Sequence, residues 1–275
     1  MSHSLNLKQT VIDKYAQIAQ KSSKQNQASC CSPAVKTCCE HENSDYSMLN
    51  DDYSQLAGSG YVPEADLNLG CGLPTQYAGI KPGDTVVDLG SGAGNDVFVA
   101  RSIVTENGKV IGIDMTPEMI DKARTNNKKL GYENIEFRLA EIEKLPLDDN
   151  STDVVISNCV LNLVPDKYEA FAEIYRILKK GAHFCISDIV TNGPLTERMQ
   201  RSAELFAGCV SGALQEEEYL AIIKKIGFKN VQVKTKQKIA LPESMVQNYL
   251  NEDDLTYLKH NHIGIFSITV VGYKA

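Results

Sequence analysis

A doubly wound α/β fold built around a nucleotide- or nucleoside-type site is predicted by three features of the sequence. Short apolar, β-branched runs alternate with helical stretches through most of the chain, the pattern of strands in a mainly parallel sheet. One of these runs, Val86-Val87-Asp88-Leu89, empties directly into Gly90-Ser91-Gly92-Ala93-Gly94. Glycines let the backbone turn tightly against a ligand, and a helix starting at Gly94 aims free N–H groups at it. The next run, Val110-Ile111-Gly112-Ile113, ends in Asp114. That is about 20 residues beyond the loop, the interval at which a carboxylate grips ribose hydroxyls. The third glycine comes one residue earlier than in the dinucleotide fingerprint Gly-x-Gly-x-x-Gly, so the loop departs from a dehydrogenase pattern.

The elements follow in order. Leu7, Val11, Tyr15 and Ile18 fall at helical spacing and predict an amphipathic helix to about Ala19. Residues 20–45 lose periodicity and read as a linker that carries Cys30, Cys31, Cys38 and Cys39. Structural zinc sites separate paired ligands by two to four residues, so adjacent cysteines suit zinc poorly; a flexible thiol-rich tail, a redox pair or a thiol relay remain as readings. Cys71, between Gly70 and Gly72 in a loop before the first strand, is expected to face a cleft rather than to be packed. Thr116-Pro117-Glu118 opens a helix that stops at Gly131. Residues 134–139 form a third strand and Asp153–Ser157 a fourth, apolar enough to be buried on both faces. Asp166 with Glu169 reads as a capping box for a helix ending at Gly181, and His183–Ser187 as a fifth strand. Thr196–Ala207 and Gln215–Ile226 are predicted helices, and Val231–Thr235 and Ile263–Val271 the last strands. Three units result: residues 1–60, a helix and Cys-rich linker; 61–187, the nucleoside-binding core; and 188–275, a further segment with the final strands.

Composition narrows the chemistry. A chain of 275 residues, 43% hydrophobic, can bury one large core. Its 28 basic and 35 acidic side chains leave a net charge of −7, which disfavours a phosphate-tracking surface and nucleic acid as substrate. No apolar run approaches a membrane span or a signal peptide, which predicts a cytoplasmic protein with no membrane partner. Eight cysteines in such a compartment point to metals, redox chemistry or a thiophilic substrate rather than to a disulfide framework.

Three of those cysteines can converge. Cys159 follows the fourth strand at the carboxyl edge, where ligands of an open α/β sheet sit, and Cys71 and Cys209 lie in Gly-flanked loops able to fold over that edge. Cys185 is mid-strand and reads as core. A cluster of soft thiolates selects a soft centre. Trivalent arsenic held by three thiolates keeps its lone pair pointing outward as a nucleophile. It carries no proton, so no general base is required, and positioning does the catalysis.

Asp88-Leu89-Gly90-Ser91-Gly92-Ala93-Gly94 resembles motif I of S-adenosylmethionine-dependent methyltransferases. Together with Gly112-Ile113-Asp114-Met115-Thr116, Ser157-Asn158-Cys159-Val160-Leu161-Asn162-Leu163 and Ala207-Gly208-Cys209-Val210-Ser211-Gly212-Ala213, it resembles the arsenite methyltransferases. The resemblance runs from the opening helix to about Phe228. It implies a Rossmann-like, seven-stranded methyltransferase sheet with an arsenic-binding lid segment and a Cys-rich N-terminal extension. It also implies S-adenosylmethionine as donor, trivalent arsenic as a thiol conjugate for acceptor, and an external thiol such as glutathione or thioredoxin as reductant. Cys159 and Cys209 match the arsenic-binding pair and Cys71 the third cysteine. Cys38-Cys39-Glu40 resembles the site of a fourth that can pair with Cys71 in a disulfide, which makes Cys39 a candidate further ligand. For the cofactor, Asp88, Gly90, Ser91, Gly92 and Gly94 are expected at the methionine end. Asp114 is expected on the ribose, Met115, Glu141 and Ile142 around the adenine, and Asn158 beside the sulfonium. The competing reading is a quinone-like C- or O-methyltransferase with incidental cysteines.

Overall fold

The computed structural model describes residues 2–20, 60–202, 210, 212–241, 246–247 and 250–275. The elements are α1 (Ser2–Gln20), α2 (Pro74–Tyr77), β1 (Thr85–Leu89), α3 (Asn95–Val104), β2 (Lys109–Asp114), α4 (Pro117–Leu130), β3 (Ile135–Leu139), β4 (Thr152–Asn158), α5 (Lys167–Ile177), β5 (Leu178–Thr191), α6 (Glu197–Arg201), α7 (Glu216–Ile226), β6 (Lys229–Ile239), α8 (Glu252–His260) and β7 (Ile265–Tyr273). The strands form one seven-stranded sheet in the order β3-β2-β1-β4-β5-β7-β6. β1 pairs in parallel with both β2 and β4, while β7 runs antiparallel to β5 and β6. The chain order reverses between β1 and β4, which places the topological switch point at the carboxyl ends of these two strands.

Alternation along the strands builds a core on each face. Val87 and Leu89 of β1 join Phe171 of α5 and Tyr219 of α7 on one side, and Val86 joins Val97 of α3 and Met119 of α4 on the other. Burial on both faces explains why the central strands read as continuous apolar runs. Two of the predicted cap positions act as caps, while Thr116 at the start of α4 makes no side-chain cap bond. Gly131 closes α4 at φ 72°, and the Asp166 side chain accepts the Glu169 N–H at the start of α5.

Two boundaries differ from expectation. α5 ends at Ile177, not at Gly181, because buried Leu178 already pairs with Thr152 of β4. The Lys274 ammonium donates to the Leu178 carbonyl at 2.7 Å, so a helix-end acceptor is satisfied from another strand. α8 and the short α2 were not legible as helices. The helix expected over Thr196–Ala207 is described as Glu197–Arg201, and its continuation lies outside the described residues. No helix among the described residues is long and apolar enough to cross a membrane.

Candidate active site

The Gly-rich loop leaves β1 and turns under the sheet edge. Gly90, Gly92 and Gly94 have φ of 73°, 51° and 99°, values that L side chains rarely adopt. A Cβ on Gly90 would lie 2.3 Å from Val160, so close approach to the loop after β4 requires glycine there. A Cβ on Gly92 would meet nothing within 4 Å, because that position faces open space. The loop is anchored by Asp114, whose Oδ2 accepts the Gly92 N–H at 2.9 Å and whose Oδ1 accepts the Thr116 N–H at 2.8 Å. Burial pushes the Asp114 carboxyl up, against these bonds, which favour its charged form.

The loop opens onto a cleft of about 1170 Å³, counting the solvent at its mouth. Asp66, Asp88, Asp96 and Asp114 line it, and among the described residues Lys8 is the only cation in the lining. Burial, reinforced by Asp96 and Asp114, pushes the Asp88 carboxyl well above the ordinary carboxylate range. The buried Ser91 Oγ and Asn95 Oδ1, both facing the cleft, have no hydrogen-bond partner among the described residues. Carboxylates, two orphaned polar atoms and an open glycine cradle fit a ligand that carries positive charge and hydroxyl or amine donors. S-adenosylmethionine has both, in its sulfonium and ammonium groups and its ribose.

Of the residues expected around the cofactor, Asp88, Gly90, Ser91, Gly92, Asp114, Met115, Ile142 and Asn158 line the cleft. Gly94 instead caps α3. Glu141 sits at the rim, ion-paired with Lys8 at 2.7 Å, and the neighbouring Glu143 lines the wall. Sequence reasoning missed the contribution of α1. Its apolar stripe was legible, but Lys8, Val11 and Tyr15 turn out to cover the cleft, and the stripe alone could not name its target.

A pair of thiols adjoins the cleft. Cys159 lines the cleft just past β4, with φ 61° and its N–H donating to the Ser187 carbonyl at 2.8 Å. Left-handed backbone at a non-glycine residue costs on the order of 1–3 kcal/mol and is held by surrounding contacts. Cys71 is buried, 1% exposed, which corrects its expected openness to the cleft. Its flanking glycines serve close packing instead. A Cβ on Gly70 would lie 2.7 Å from the Asn158 amide, and one on Gly72 2.5 Å from Ser187 Oγ. Asn158 stitches this loop to the sheet: Oδ1 accepts the Cys71 N–H at 2.9 Å, and Nδ2 donates to the Gly72 carbonyl at 2.8 Å and to Asp96 at 3.2 Å. The Cys71 carbonyl accepts the Ser267 hydroxyl of β7.

Cys71 and Cys159 thus share one buried cluster with Leu163, Ile189, Leu195, Met199 and Val210. Among the described residues no group of three His, Cys, Asp or Glu side chains is arranged to hold a metal ion. Two thiols are in place, while Cys209, Cys39 and the other tail cysteines lie outside the described residues. Cys185 is fully buried, donates to the Pro74 carbonyl at 3.2 Å, and is pushed by burial up to about 12, so it belongs to the core as expected.

An unforeseen buried pair lies beside the thiols. The Tyr219 hydroxyl donates to Asp188 Oδ2 at 3.3 Å, and burial, the Asp188 charge and both thiols push the Tyr219 hydroxyl well up. Burial raises the Asp188 carboxyl to about 7, partly offset by Lys167 and by hydrogen bonds from Ile189, Tyr219 and Asn162. An acid raised on folding stabilises the fold below its unfolded value near 4, and that contribution fades as pH climbs to the folded value. Asp188→Asn should therefore remove a loss of stability on the order of 4 kcal/mol between about pH 4 and pH 7. Urea titrations of both proteins at the two pH values check it; parallel pH profiles would contradict the assignment.

Comparison with known proteins agrees with this geometry. The family profile described as "Methyltransferase domain" matches residues 80–227. The arsenite methyltransferase of Halobacterium salinarum is 45% identical over 203 residues, covering 73% of this chain and 51% of that protein. The ubiquinone/menaquinone biosynthesis C-methyltransferase of Escherichia coli is 29% identical over 131 residues, 47% of this chain and 51% of that protein. The crystal structure of CrArsM, an arsenic (III) S-adenosylmethionine methyltransferase from Chlamydomonas reinhardtii, superposes with a TM-score of 0.64 at 32% identity, over 84% of this chain and 73% of that one. The chain spans about half the length of the curated relatives it matches. With the family profile spanning more than half of its residues, from β1 through β5 and including the glycine loop and Cys159, the chain belongs to the methyltransferase family and is similar there to arsenite methyltransferases.

Proposed function

We propose that this chain transfers a methyl group from S-adenosylmethionine to trivalent arsenic held by cysteine thiolates, a detoxifying reaction. The observation that carries the reading is the joint burial of Cys71 and Cys159 beside the cleft, with Asn158 reaching both the thiol loop and the cleft wall. The bound donor supplies an electrophilic methyl whose carbon–sulfur electron pair departs with sulfur. The chain's residues do the positioning. Asp114 takes the ribose hydroxyls on the lone pairs its two backbone bonds leave free, and the Gly90–Gly92 turn with Ser91 Oγ and Asn95 Oδ1 takes the methionine end. The carboxylates around Asp88 offset the positive charge, and Met115 and Ile142 flank the adenine.

Cys159 and Cys209 are the pair that holds arsenic through both transfers, and Cys71 supplies the third thiolate, leaving the arsenic lone pair to face the cleft. Cys39 is a candidate further ligand, and Glu141 and Gly94 support the cofactor site from the rim and the helix cap. Arsenic arrives as a thiol conjugate, and each exchange passes the cysteine proton to the departing thiol. Methylation raises arsenic to the pentavalent state. An external thiol system, glutathione or thioredoxin, returns two electrons and leaves as disulfide. The reaction is assigned to the cytoplasm, where such thiols are kept reduced.

Arsenite, a thiol and methyl-labelled S-adenosylmethionine, with products separated by methylation state, test the reading directly. Label appearing on arsenic is the expected result. Label on a quinol or phenol, with none on arsenic, would transfer the site to the competing C- or O-methyltransferase reading. Within the same assignment, Asp114→Ala should weaken S-adenosylmethionine by roughly 1.5–3 kcal/mol, the scale of charge-assisted hydrogen bonds. Calorimetry showing unchanged affinity would remove Asp114 from the ribose.

A further inference from the structure

We propose that Asp254, in the part of the chain beyond the arsenite-methyltransferase resemblance, is a positioning residue that clasps the Leu195–Met199 stretch over Cys71 and Cys159. Its significance rests on the methyl-transfer reading, but the clasp itself has a readout that needs no arsenic. Asp254 lies in the first turn of α8 and is 3% exposed. It completes a capping box with Asn251, accepting the Asn251 N–H at 3.2 Å while its own N–H donates to Asn251 Oδ1 at 2.8 Å. A helix cap needs no more than this.

The same carboxylate reaches further. It accepts the Thr196 hydroxyl at 2.9 Å and pairs with the Arg198 guanidinium, both across a gap of more than fifty residues in sequence. Burial raises its carboxyl, but the Arg198 bond and those from Asn251 and Thr196 outweigh that, so the group stays ionised. A buried charge costs stability unless paired, and such pairs fix one arrangement of the elements they join.

What the arrangement fixes is the wall of the thiol site. Thr196 caps α6, accepting the Met199 N–H at 3.2 Å, and Leu195 and Met199 on either side are buried with Cys71, Cys159, Leu163 and Ile189. From the clasp's other side, Leu250 belongs to the same cluster and Leu258 of α8 packs against it. A second tie lies alongside: Asn192 accepts the Gly264 N–H at 2.6 Å and donates to the His262 carbonyl at 3.2 Å. The C-terminal helix is thereby held to the stretch that roofs the thiols, and not to the cofactor loop.

The test compares Asp254→Ala, Arg198→Ala and Arg198→Lys in the full chain, using N-ethylmaleimide with peptide-resolved mass spectrometry. Asp254→Ala and Arg198→Ala should speed modification of Cys71 and Cys159, by on the order of tenfold for Asp254→Ala, through local opening. Cys185, equally buried but roofed by α2, is the internal control and should not change. Arg198→Lys, which keeps the charge, should stay near wild type. In turnover, Asp254→Ala should raise KM for arsenite with S-adenosylmethionine affinity unchanged. Unaltered labelling of Cys71 and Cys159, or an equal rise at Cys185, would overturn the proposal, since the second means general loosening. Selective labelling in a protein whose wild type leaves arsenite unmethylated would support the clasp and remove the functional reading instead.

Discussion

Cys159→Ser is expected to abolish methylation of both arsenite and monomethylated trivalent arsenic while leaving S-adenosylmethionine affinity unchanged. The serine hydroxyl occupies nearly the same volume, so the cluster around Leu163 and Ile189 stays packed, but a hard oxygen replaces the soft ligand. Cys159 lines the cleft directly, and its N–H donates to the Ser187 carbonyl with the backbone held at φ 61°. Cys71→Ser should behave differently. Arsenite offers three positions to sulfur and monomethylated arsenic only two, so a third thiolate is needed for the first transfer and dispensable for the second. Cys209→Ser should resemble Cys159→Ser. Single-turnover assays on the two substrates, with calorimetry for the cofactor, separate these outcomes. Equal activity of the three variants on both substrates would end the thiolate mechanism.

The second large effect is expected at Asn158. Asn158→Ala removes the acceptor of the Cys71 N–H and the donor to the Gly72 carbonyl in one step. A polar group left buried without its partner costs about 1–3 kcal/mol, so the two together are worth on the order of 3 kcal/mol, or roughly a hundredfold in the population of the correct loop position. The rate on arsenite should fall by about that factor. The rate on monomethylated arsenic, for which Cys71 is expected to be dispensable, should fall less. Asn158→Asp keeps the acceptor but sets a second carboxylate against Asp96, so it should rescue little. Identical losses on the two substrates would show that Asn158 serves the donor alone and not the thiol loop.

Much of this molecule was legible in the chain itself, because its signals are local. The glycine loop, the acid closing β2 and the β-branched runs depend on backbone conformation and on a strand's own two faces. They therefore survive without knowledge of neighbours, and Gly90, Gly92, Asp114 and Cys159 stand where the pattern places them. Cys185 was legible as core for the same reason, sitting mid-strand between apolar neighbours. The tertiary structure decided what depends on distant partners. It buried Cys71, because glycines on either side let its loop press against Asn158, Ser187 and β7. It ended α5 early, because Leu178 had a strand to join and a lysine from the chain's end to satisfy its carbonyl. It laid α1 over the cleft, paired Asp188 with Tyr219, and joined Asp254 to Thr196 and Arg198. In each case the partner lies tens of residues or more away, and an amphipathic stripe or a lone carboxylate carries no record of what it will meet.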